Sequence, residues 1–415
     1  MRGHRVPSTV GMAIGPPVAS ATGPVSGVIA MNDDALRDCY DVVVIGGGQA
    51  GLAIGYHLSQ RGLDFVILDA ADRVGDAWRS RWDSLRLFTS GRYNGLPGMP
   101  FPGARLAFPT KDEVADYLVA YATRFGLPVR SGTRVERVAR RNGDGAGLMV
   151  TANGQRIEAR NVIVASGAYH DPLVPGFADQ LDQSILQLHA SEYRRPSQLR
   201  EGPVLVVGAS NSGAEIALDV AVEHRTTLVG RNTGEIPVDL DGRLGALLDP
   251  LIWFAANHIL TIDTPMGGKG RALARFHGIP VERARSKRLR DAGVERRYAR
   301  AVGVRQGLPL LDDGDVVDVA NVIWCTGFRR DYSWIDLAIV GDDGWPKEDR
   351  GVVASVPGLY FVGLPFQRAM ASSLLGGVGR DAADVVDHLA ARLPAASSDS
   401  RADRDRETIP GLGRA

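Results

Sequence analysis

The chain has 415 residues with 48 basic and 48 acidic side chains, so its formal net charge is zero. Since binding to a nucleic-acid backbone depends on a surplus of Lys and Arg, this balance argues against a nucleic-acid partner. Hydrophobic residues make up 44% and charged residues 23% of the chain, which is ordinary for a globular protein. The length predicts two domains or more, and the placement of the 50 glycines carries most of the further information.

The two ends of the chain differ in composition from its middle. The apolar run at 10–14 is short and is followed by Gly and Pro, so it does not fit a secretory signal. Residues 1–38 are therefore predicted to be a disordered extension, and the polar residues 395–415 a disordered tail. No stretch reads as a membrane-spanning helix. We expect a cytoplasmic protein.

The only cysteines, Cys39 and Cys325, are far apart in the sequence and form no Cys-x-x-Cys pair. This arrangement supplies neither a metal site nor a dithiol redox centre. A free cysteine is most often a small core residue, so each is predicted to be a buried thiol. A reducing compartment fits this reading.

The first predicted unit is a strand at 41–45, a Gly-rich turn, a helix to about Gln60 and a second strand at 65–68. Strand, turn, helix and strand in this order are the context that a dinucleotide-binding fingerprint requires. The turn supplies the first predicted cofactor-binding residues, which are Gly46, Gly48, Gln49, Ala50 and Gly51.

Each glycine of this turn has a physical role. Gly46 permits the tight turn, Gly48 lets the backbone approach a pyrophosphate, and Gly51 lets the helix pack closely on the strand. The amide groups and dipole at the start of the helix attract the phosphates. Asp69, at the end of the second strand, is placed to accept hydrogen bonds from a ribose diol.

Between the two dinucleotide units the sequence changes character. A Gly- and Pro-rich stretch occupies 91–109, and Thr110 with Glu113 predicts a capping box at the start of a helix. Residues 148–164 alternate or run apolar as strands and lead into Ser166-Gly167.

The second unit repeats the pattern with a strand at 204–207, a turn, a helix to about Glu223 and a strand at 226–229. Its predicted cofactor-binding residues are Gly208, Ser210, Asn211, Ser212 and Gly213. Where the first unit has Asp69, this one has Arg231. A guanidinium cannot accept from a ribose 2′-OH, but its planar fork suits a 2′-phosphate. This favours NADPH over NADH, with a solvated surface arginine as the alternative.

Two later stretches have competing interpretations. The apolar-rich stretch 244–262 is interrupted by Asp-Pro and Asn-His and is read as a buried helix or as a lid over a hydrophobic channel. The arginine cluster at 283–300 is read as a solvated helical face, with a site for an acidic substrate as the alternative. Strands at 316–324 and 359–363 and a C-terminal helix to about Leu393 complete the predicted elements.

Together these elements predict an α/β protein with two Rossmann-like dinucleotide-binding domains, the second inserted into the first. The predicted boundaries are 39–175 plus 320–394 for a discontinuous FAD-binding domain and 176–319 for an NADPH-binding domain.

The sequence from about Tyr40 to Leu389 resembles the class B flavin-dependent monooxygenases, which include flavin-containing and YUCCA-type enzymes. The markers of the resemblance are the two Gly-rich turns, Arg73-Val-Gly-Asp-Ala-Trp78, Ser166-Gly167, His189 with Tyr193, and Trp324-Cys-Thr-Gly-Phe328. It implies FAD on the first unit and NADPH on the second. It further implies that Trp78 packs near the flavin and that Val135 offers its backbone to the adenine. Thr326 and Gly327 would form the hinge where the chain returns from the NADPH domain.

The sequence also departs from the family pattern. The family's identifying motif has Phe and Gly where this chain has Gln183 and Ile185, so only His189 and Tyr193 remain. The active-site Asn that follows a Thr in many members is replaced by Ser90, although Asn94 is close. These departures leave the two-cofactor architecture intact and weaken the expectation of oxygenation.

The resemblance implies an oxidoreductase in which NADPH reduces the flavin, and reduced flavin with O2 forms a C4a-peroxyflavin that oxygenates a small organic substrate. His189 is the candidate catalytic residue, with a hydrogen-bonded histidine at the domain junction as the alternative. Two other functions remain open: a flavoprotein reductase that passes electrons to a carrier or quinone, and a non-catalytic cofactor-binding regulator. Substrate specificity is expected in the loops 85–105, 232–270 and 364–378.

Overall fold

The computed structural model describes residues 36–141, 147–236, 238–276 and 280–393. The chain from Asp38 onward forms one compact unit. The predicted disordered segments, 1–38 and 395–415, fall outside the described residues except for the last three of the first one.

Strands and helices alternate along much of the chain. The strands are β1 Cys39–Ile45, β2 Phe65–Leu68, β3 Val129–Arg130, β4 Val135–Arg140, β5 Leu148–Ala152, β6 Gln155–Val164, β7 Asp171–Pro172, β8 Leu186–His189, β9 Val204–Val207, β10 Thr226–Val229, β11 Glu295–Arg297, β12 Ala301–Arg305, β13 Leu308–Leu311, β14 Asn321–Trp324, β15 Phe328–Arg329 and β16 Leu359–Phe361. The α-helices are α1 Gln49–Gln60, α2 Asp76–Arg79, α3 Lys111–Arg124, α4 Asn211–Val220, α5 Arg243–Phe254, α6 Pro265–Phe276, α7 Ser286–Asp291 and α8 Val378–Ala390.

The first sheet holds seven of the described strands, in the order β3-β2-β1-β6-β5-β4 with β16 also paired to β6. Strands β3, β2, β1, β6 and β16 run parallel, and β4 and β5 join β6 as an antiparallel meander. Helices α1, α3 and α8 cover this sheet with buried apolar residues such as Leu52, Leu118 and Val385. The parallel strands β1 and β2 are almost continuously apolar because both of their faces are buried.

The second sheet has the order β11-β10-β9-β14-β8 among the described strands, all parallel. It lies in sequence between β6 and β16 of the first sheet, so the prediction of an α/β fold with one Rossmann-like unit inserted into another is confirmed. One boundary needs correction. The prediction placed 320–394 in the first domain, but β14 pairs with β9 and β8 in the second sheet, so the chain returns after Trp324.

The antiparallel pair of β7 and β15 marks the two crossings between the sheets, with Phe328 opposite Pro172 and Arg329 opposite Asp171. The chain therefore leaves the first sheet and returns to it side by side.

Several predicted elements are confirmed closely. Helix α1 ends at Gln60 as predicted, and β2, β9 and β10 have the predicted bounds. The capping box of α3 is present: the Glu113 N–H donates to Thr110 Oγ1 at 3.2 Å, and the Thr110 N–H donates to Glu113 Oε2 at 2.7 Å. Helix α4 is shorter than predicted and ends at Val220.

The prediction of a buried helix at 244–262 is wrong. Helix α5 and the π-helical turn Ala255–Ile259 occupy this stretch, and the outward face of α5 is apolar and exposed, with Leu247 75% and Leu251 61% exposed. The inward face is fixed instead by Asp249, which accepts hydrogen bonds from Ser90 and Arg92. The helix is thus held on its inward side by these hydrogen bonds and by Trp253, which stacks on Tyr93.

The prediction of one solvated helical face at 283–300 is also wrong. Only Ser286–Asp291 is helical, and the chain then enters β11. Arg283 lies inward, where it forms an ion pair with Asp241 and stacks on Phe108 at 4.9 Å. Among the helices of the described ranges, none is both long and apolar enough to cross a membrane.

Candidate functional site: two dinucleotide turns

The first Gly-rich turn is built as the sequence predicts. Gly46 has φ +109°, and a Cβ there would lie 2.4 Å from the Ala165 carbonyl oxygen at the end of β6. A Cβ on Gly51 would lie 1.9 Å from the Gly46 carbonyl oxygen, so this glycine is needed for the close contact of helix and turn. A Cβ on Gly48, by contrast, would meet no described atom within 4 Å. The space in front of Gly48 is therefore open to a ligand.

Asp69 lies directly against this turn. A Cβ on Gly47 would be 2.6 Å from Asp69 Oδ2, and Asp69 Oδ1 accepts a hydrogen bond from the Ala71 N–H at 3.1 Å. Partial burial raises the pKa of Asp69, opposed by the hydrogen bonds from backbone N–H groups. A carboxylate held in this position can accept hydrogen bonds from a diol that lies over the turn.

The other residues predicted to bind FAD are Gln49, Ala50, Trp78 and Val135, which come from different elements of the chain. The Gln49 side chain donates to the Ser373 carbonyl oxygen at 2.8 Å, which ties the turn to the segment before α8. Ala50 is buried in α1, and Trp78 is partly buried in α2 against the first core. Val135 begins β4 opposite Ala152, two residues after Thr133, whose N–H donates to the Asp69 carbonyl oxygen.

The second turn repeats this geometry. Gly208 has φ +109°, and a Cβ there would lie 2.2 Å from the Cys325 carbonyl oxygen. A Cβ on Gly213 would lie 1.7 Å from the Gly208 carbonyl oxygen. Ala165 and Cys325 therefore occupy equivalent positions in the two units, and each is followed by a residue pair that ends in a glycine with positive φ, Gly167 and Gly327. The glycines fix the same backbone arrangement twice.

Within the second turn, the predicted residues divide by role. Ser210 caps α4 and Ser212 is exposed in its first turn. The Asn211 side chain is directed to the protein: its amide donates to the Pro280 carbonyl oxygen at 3.3 Å, and its oxygen accepts from the Glu282 N–H at 2.9 Å. Asn211 thus anchors a neighbouring segment, and its side chain does not face the open side of the turn.

Arg231 lies at the end of β10 with an exposed side chain. It follows Gly230, whose φ of +145° and close approach to the Ala209 N–H direct the chain past the turn. Arg296 from β11 donates to the carbonyl oxygens of Gly230 and Arg231 at 2.8 and 3.1 Å. The backbone that carries Arg231 is thereby fixed, while its guanidinium is available to a ligand.

His189, the candidate catalytic residue, is only 2% exposed. Its Nε2 donates to the Gly327 carbonyl oxygen at 2.9 Å, and its Nδ1 lies 2.8 Å from Ser191 Oγ. The ring also packs edge-on against Phe328 at 4.9 Å, and burial lowers the pKa of His189. These contacts favour the alternative interpretation, a neutral histidine that holds the return crossing in place.

Thr326 is also engaged by the protein. Its hydroxyl donates to the Leu173 carbonyl oxygen, and the Leu173 N–H donates to the Gly327 carbonyl oxygen at 3.0 Å. Thr326 and Gly327 therefore join the two crossings of the chain, at the place where the resemblance implies a hinge.

The cysteines have different environments. Burial raises the pKa of the Cys325 thiol to about 12, and its Cβ is placed against the second Gly-rich turn, so the thiol is a packing element there. The prediction that Cys39 is buried is wrong, because it begins β1 at the exposed end of the strand.

With this geometry in view, we compared the chain with known proteins. Residues 43–253, half of the chain, match the family described as pyridine nucleotide-disulphide oxidoreductase. An uncharacterized oxidoreductase CzcO-like protein of Geobacillus kaustophilus is 40% identical over 85% of this chain and 100% of its own length. Indole-3-pyruvate monooxygenase YUCCA1 of Oryza sativa is 35% identical over 71% of this chain and 78% of its own length.

Among solved structures, the flavin-containing monooxygenase from Stenotrophomonas maltophilia is 32% identical and covers 86% of this chain and 99% of its own, with a TM-score of 0.66. The chain belongs to the pyridine nucleotide-disulphide oxidoreductase family and, within it, to the class B flavin-dependent monooxygenase superfamily. It is an FAD-dependent NAD(P)H oxidoreductase, which confirms the predicted enzyme class and cofactors.

Two pairs of residues that meet in the structure were not predicted from the sequence. Glu215 of α4 and the buried Glu282 form an acidic pair, and Tyr93 stacks on Trp253 across two predicted specificity loops. No local pattern marks either pair, because its members are far apart in sequence. The pseudo-equivalence of 165–167 and 325–327 did leave a signal, a small residue two positions before a glycine after each apolar strand.

Proposed function

We propose that the first turn binds FAD, that the second binds NADPH, and that the enzyme inserts one oxygen atom from O2 into a small organic substrate. The observation that carries the assignment of the cofactors is the difference between the ends of β2 and β10, Asp69 in one unit and Arg231 in the other. FAD has a ribose diol that an acid can bind, whereas NADPH has a 2′-phosphate that a guanidinium can bind. The open space at Gly48 fits a pyrophosphate.

The protein's own residues bind and orient in this proposal. The first amide groups of α1 and α4 face the two pyrophosphates, and Asp69 and Arg231 select the adenosine halves. Bound flavin supplies hydride acceptance and reaction with O2. His189 and Thr326 hold the crossing between the two sheets, which keeps the two turns in a fixed relation.

One observation favours a second candidate, an NADPH-dependent flavoprotein reductase. The Asn94 amide donates to the carbonyl oxygens of Thr89 and Ser90, and its oxygen accepts from Thr89 Oγ1 at 2.6 Å. Ser90 in turn donates to Asp249 at 2.7 Å. The polar side chains of this loop are thus committed to the protein and do not replace the family's active-site amide.

The outcome of the reaction with O2 separates the two candidates. We expect the FAD-loaded enzyme to oxidise NADPH and to convert an organic sulfide to its sulfoxide, with one sulfoxide formed per NADPH. Simultaneous measurement of NADPH, H2O2 and sulfoxide is the test. Stoichiometric H2O2 without sulfoxide would favour the reductase, and an enzyme whose flavin is not bleached by NADPH would favour a regulator.

Arg231→Ala is expected to weaken the binding of NADPH and to leave the binding of NADH unaffected. A charge-assisted hydrogen bond to a phosphate contributes about 1.5–3 kcal/mol, so the KM for NADPH should rise roughly ten- to a hundredfold. Steady-state kinetics with both cofactors measures the preference. Arg225→Ala is the control, since Arg225 is an exposed arginine at the opposite end of the same strand, away from the second Gly-rich turn. An unchanged NADPH/NADH ratio in Arg231→Ala would refute the assignment.

A further inference from the structure

A cleft of about 420 Å³ lies where the three predicted specificity loops meet. Its walls include Tyr93, Met99, Trp253 and three residues without side chains, which are Gly95, Gly98 and Gly376. A volume of this size is within the range of small-molecule sites. All three loops contribute residues to its walls, so the cleft exists only in the folded protein.

Contacts connect the cleft to the first dinucleotide turn. Ser373, whose carbonyl oxygen accepts from Gln49 at 2.8 Å, is three residues before Gly376. A Cβ on Gly376 would lie 1.7 Å from the Tyr93 carbonyl oxygen and 3.3 Å from Trp253 Cη2. The segment that accepts the hydrogen bond from Gln49 of the predicted FAD turn therefore also contributes Gly376 to one wall of the cleft.

The aromatic wall is held rigidly. The rings of Tyr93 and Trp253 are stacked, with centroids 4.8 Å apart and planes 12° apart. One turn before Trp253 on α5, Asp249 forms an ion pair with Arg92 at 2.7 Å, and the two side chains are only 19% and 18% exposed. This ion pair fixes the rotation of α5 and directs Trp253 to the cleft.

The charge of the cleft is nearly balanced. The Arg92 guanidinium lies 4.9 Å from the Tyr93 ring centroid, and Asp249 accepts hydrogen bonds from two of its nitrogen atoms. Since this guanidinium is already paired, it offers little to an anionic ligand. Tyr93 covers one face of the Trp253 ring, and the part of Trp253 that lines the cleft offers a π surface to a ligand. Such a surface favours a flat, uncharged ring.

We propose that this cleft binds the organic substrate through a flat, uncharged aromatic ring that contacts the Trp253 ring and the backbone of Gly95 and Gly98. The proposal deepens the proposed function and rests on it for the class of reaction. Binding itself is independent of turnover, and this allows the two to be tested separately.

The test compares two sulfides that differ only in the ring, thioanisole and cyclohexyl methyl sulfide. Their binding to the FAD-loaded, NADP⁺-bound protein is measured by calorimetry without turnover. We expect the wild type to bind the flat ring roughly three- to tenfold tighter, the range typical of an aromatic contact. Trp253→Ala should remove this preference, and Trp253→Phe should keep most of it.

Leu251→Ala is the matched control, because Leu251 lies on the outward face of the same helix and is 61% exposed. Its preference should equal that of the wild type. Trp253→Leu, which retains an apolar side chain without a π face, decides the question if Trp253→Ala does not fold. The proposal is overturned if wild-type protein shows no saturable binding of thioanisole, or if the alanine or leucine variant retains the preference. Binding without sulfoxide formation would instead count against the monooxygenase function alone.

Discussion

Gly48→Val is expected to weaken FAD binding while the apoprotein remains folded. A Cβ at this position meets no described atom within 4 Å, and the backbone φ of −76° and ψ of −169° suit a β-branched residue. The added methyl groups would occupy the space in front of the turn that we assign to the pyrophosphate. Overpacking of this kind costs about 1–3 kcal/mol, which corresponds to roughly a five- to 150-fold loss of FAD affinity.

The measurements are FAD content after purification, FAD titration of the apoprotein, and urea unfolding of the apoprotein. Loss of the glycine N-cap should lower the stability of the apoprotein by no more than about 1 kcal/mol. Gly176→Val is the matched control, since a Cβ there also meets no described atom within 4 Å. If Gly48→Val retains FAD as the wild type does, the first turn is not the FAD site.

Gly51→Ala should behave in the opposite way. Its Cβ would lie 1.9 Å from the Gly46 carbonyl oxygen, a backbone atom that cannot move without displacing the turn. The apoprotein itself should therefore lose stability. The contrast between Gly48 and Gly51 separates the role of a glycine in ligand approach from its role in packing.

Glu282→Gln is expected to stabilise the protein at alkaline pH. Glu282 is 3% exposed, and its Oε2 has no hydrogen-bond partner among the described residues. Burial, with a smaller contribution from the neighbouring Glu215, raises the pKa of Glu282 to about 8. Burial also raises the pKa of Glu215 to about 7, where Asp241 adds to the effect and Arg283 and Arg288 oppose it.

The direction of the pH dependence follows from proton uptake. Above the pKa of an unfolded glutamate and below the raised values, the folded state binds more protons than the unfolded state. The free energy of unfolding therefore falls as the pH rises from about 4.5 to about 8, and this loss is complete above the folded pKa values. A glutamine at 282 carries no charge at any of these pH values, so it should remove much of the loss.

We expect Glu282→Gln to gain about 2–4 kcal/mol relative to wild type between pH 5 and pH 9, because each unit of pKa shift corresponds to about 1.4 kcal/mol. Urea unfolding at pH 5, 7 and 9 measures this. Glu223→Gln is the matched control, since Glu223 is exposed and comes just after α4, the helix that carries Glu215. Parallel stability profiles for wild type and Glu282→Gln would show that the acid ionises freely in the fold.

The two dinucleotide units, and the insertion of the second into the first, could be predicted from the amino-acid sequence. Gly51 and Gly213 are each required by a contact with the glycine five residues earlier, so a local pattern predicts them. Gly46 and Gly208 contact Ala165 and Cys325, which are distant in sequence, but their places in the Gly-rich turn belong to the same local pattern. Helix α3 was likewise predictable because its capping box is a contact between residues three positions apart. Each of these features is marked by a pattern of residues that are close together in the sequence.

Other features of the site depend on contacts between residues that are distant in the sequence, so they became visible only in the tertiary structure. Helix α5 exposes apolar residues such as Leu247 and Leu251, while its inward side carries Asp249, which binds Arg92 from a distant loop, and Trp253, which stacks on Tyr93. The contacts of His189 favour a structural role, because the Gly327 carbonyl oxygen on the return crossing accepts a hydrogen bond from its Nε2–H. Trp253 and Tyr93, like Glu215 and Glu282, act as pairs only when separate segments meet. Hydrogen bonding and desolvation depend on such neighbours in space, which the order of residues does not reveal.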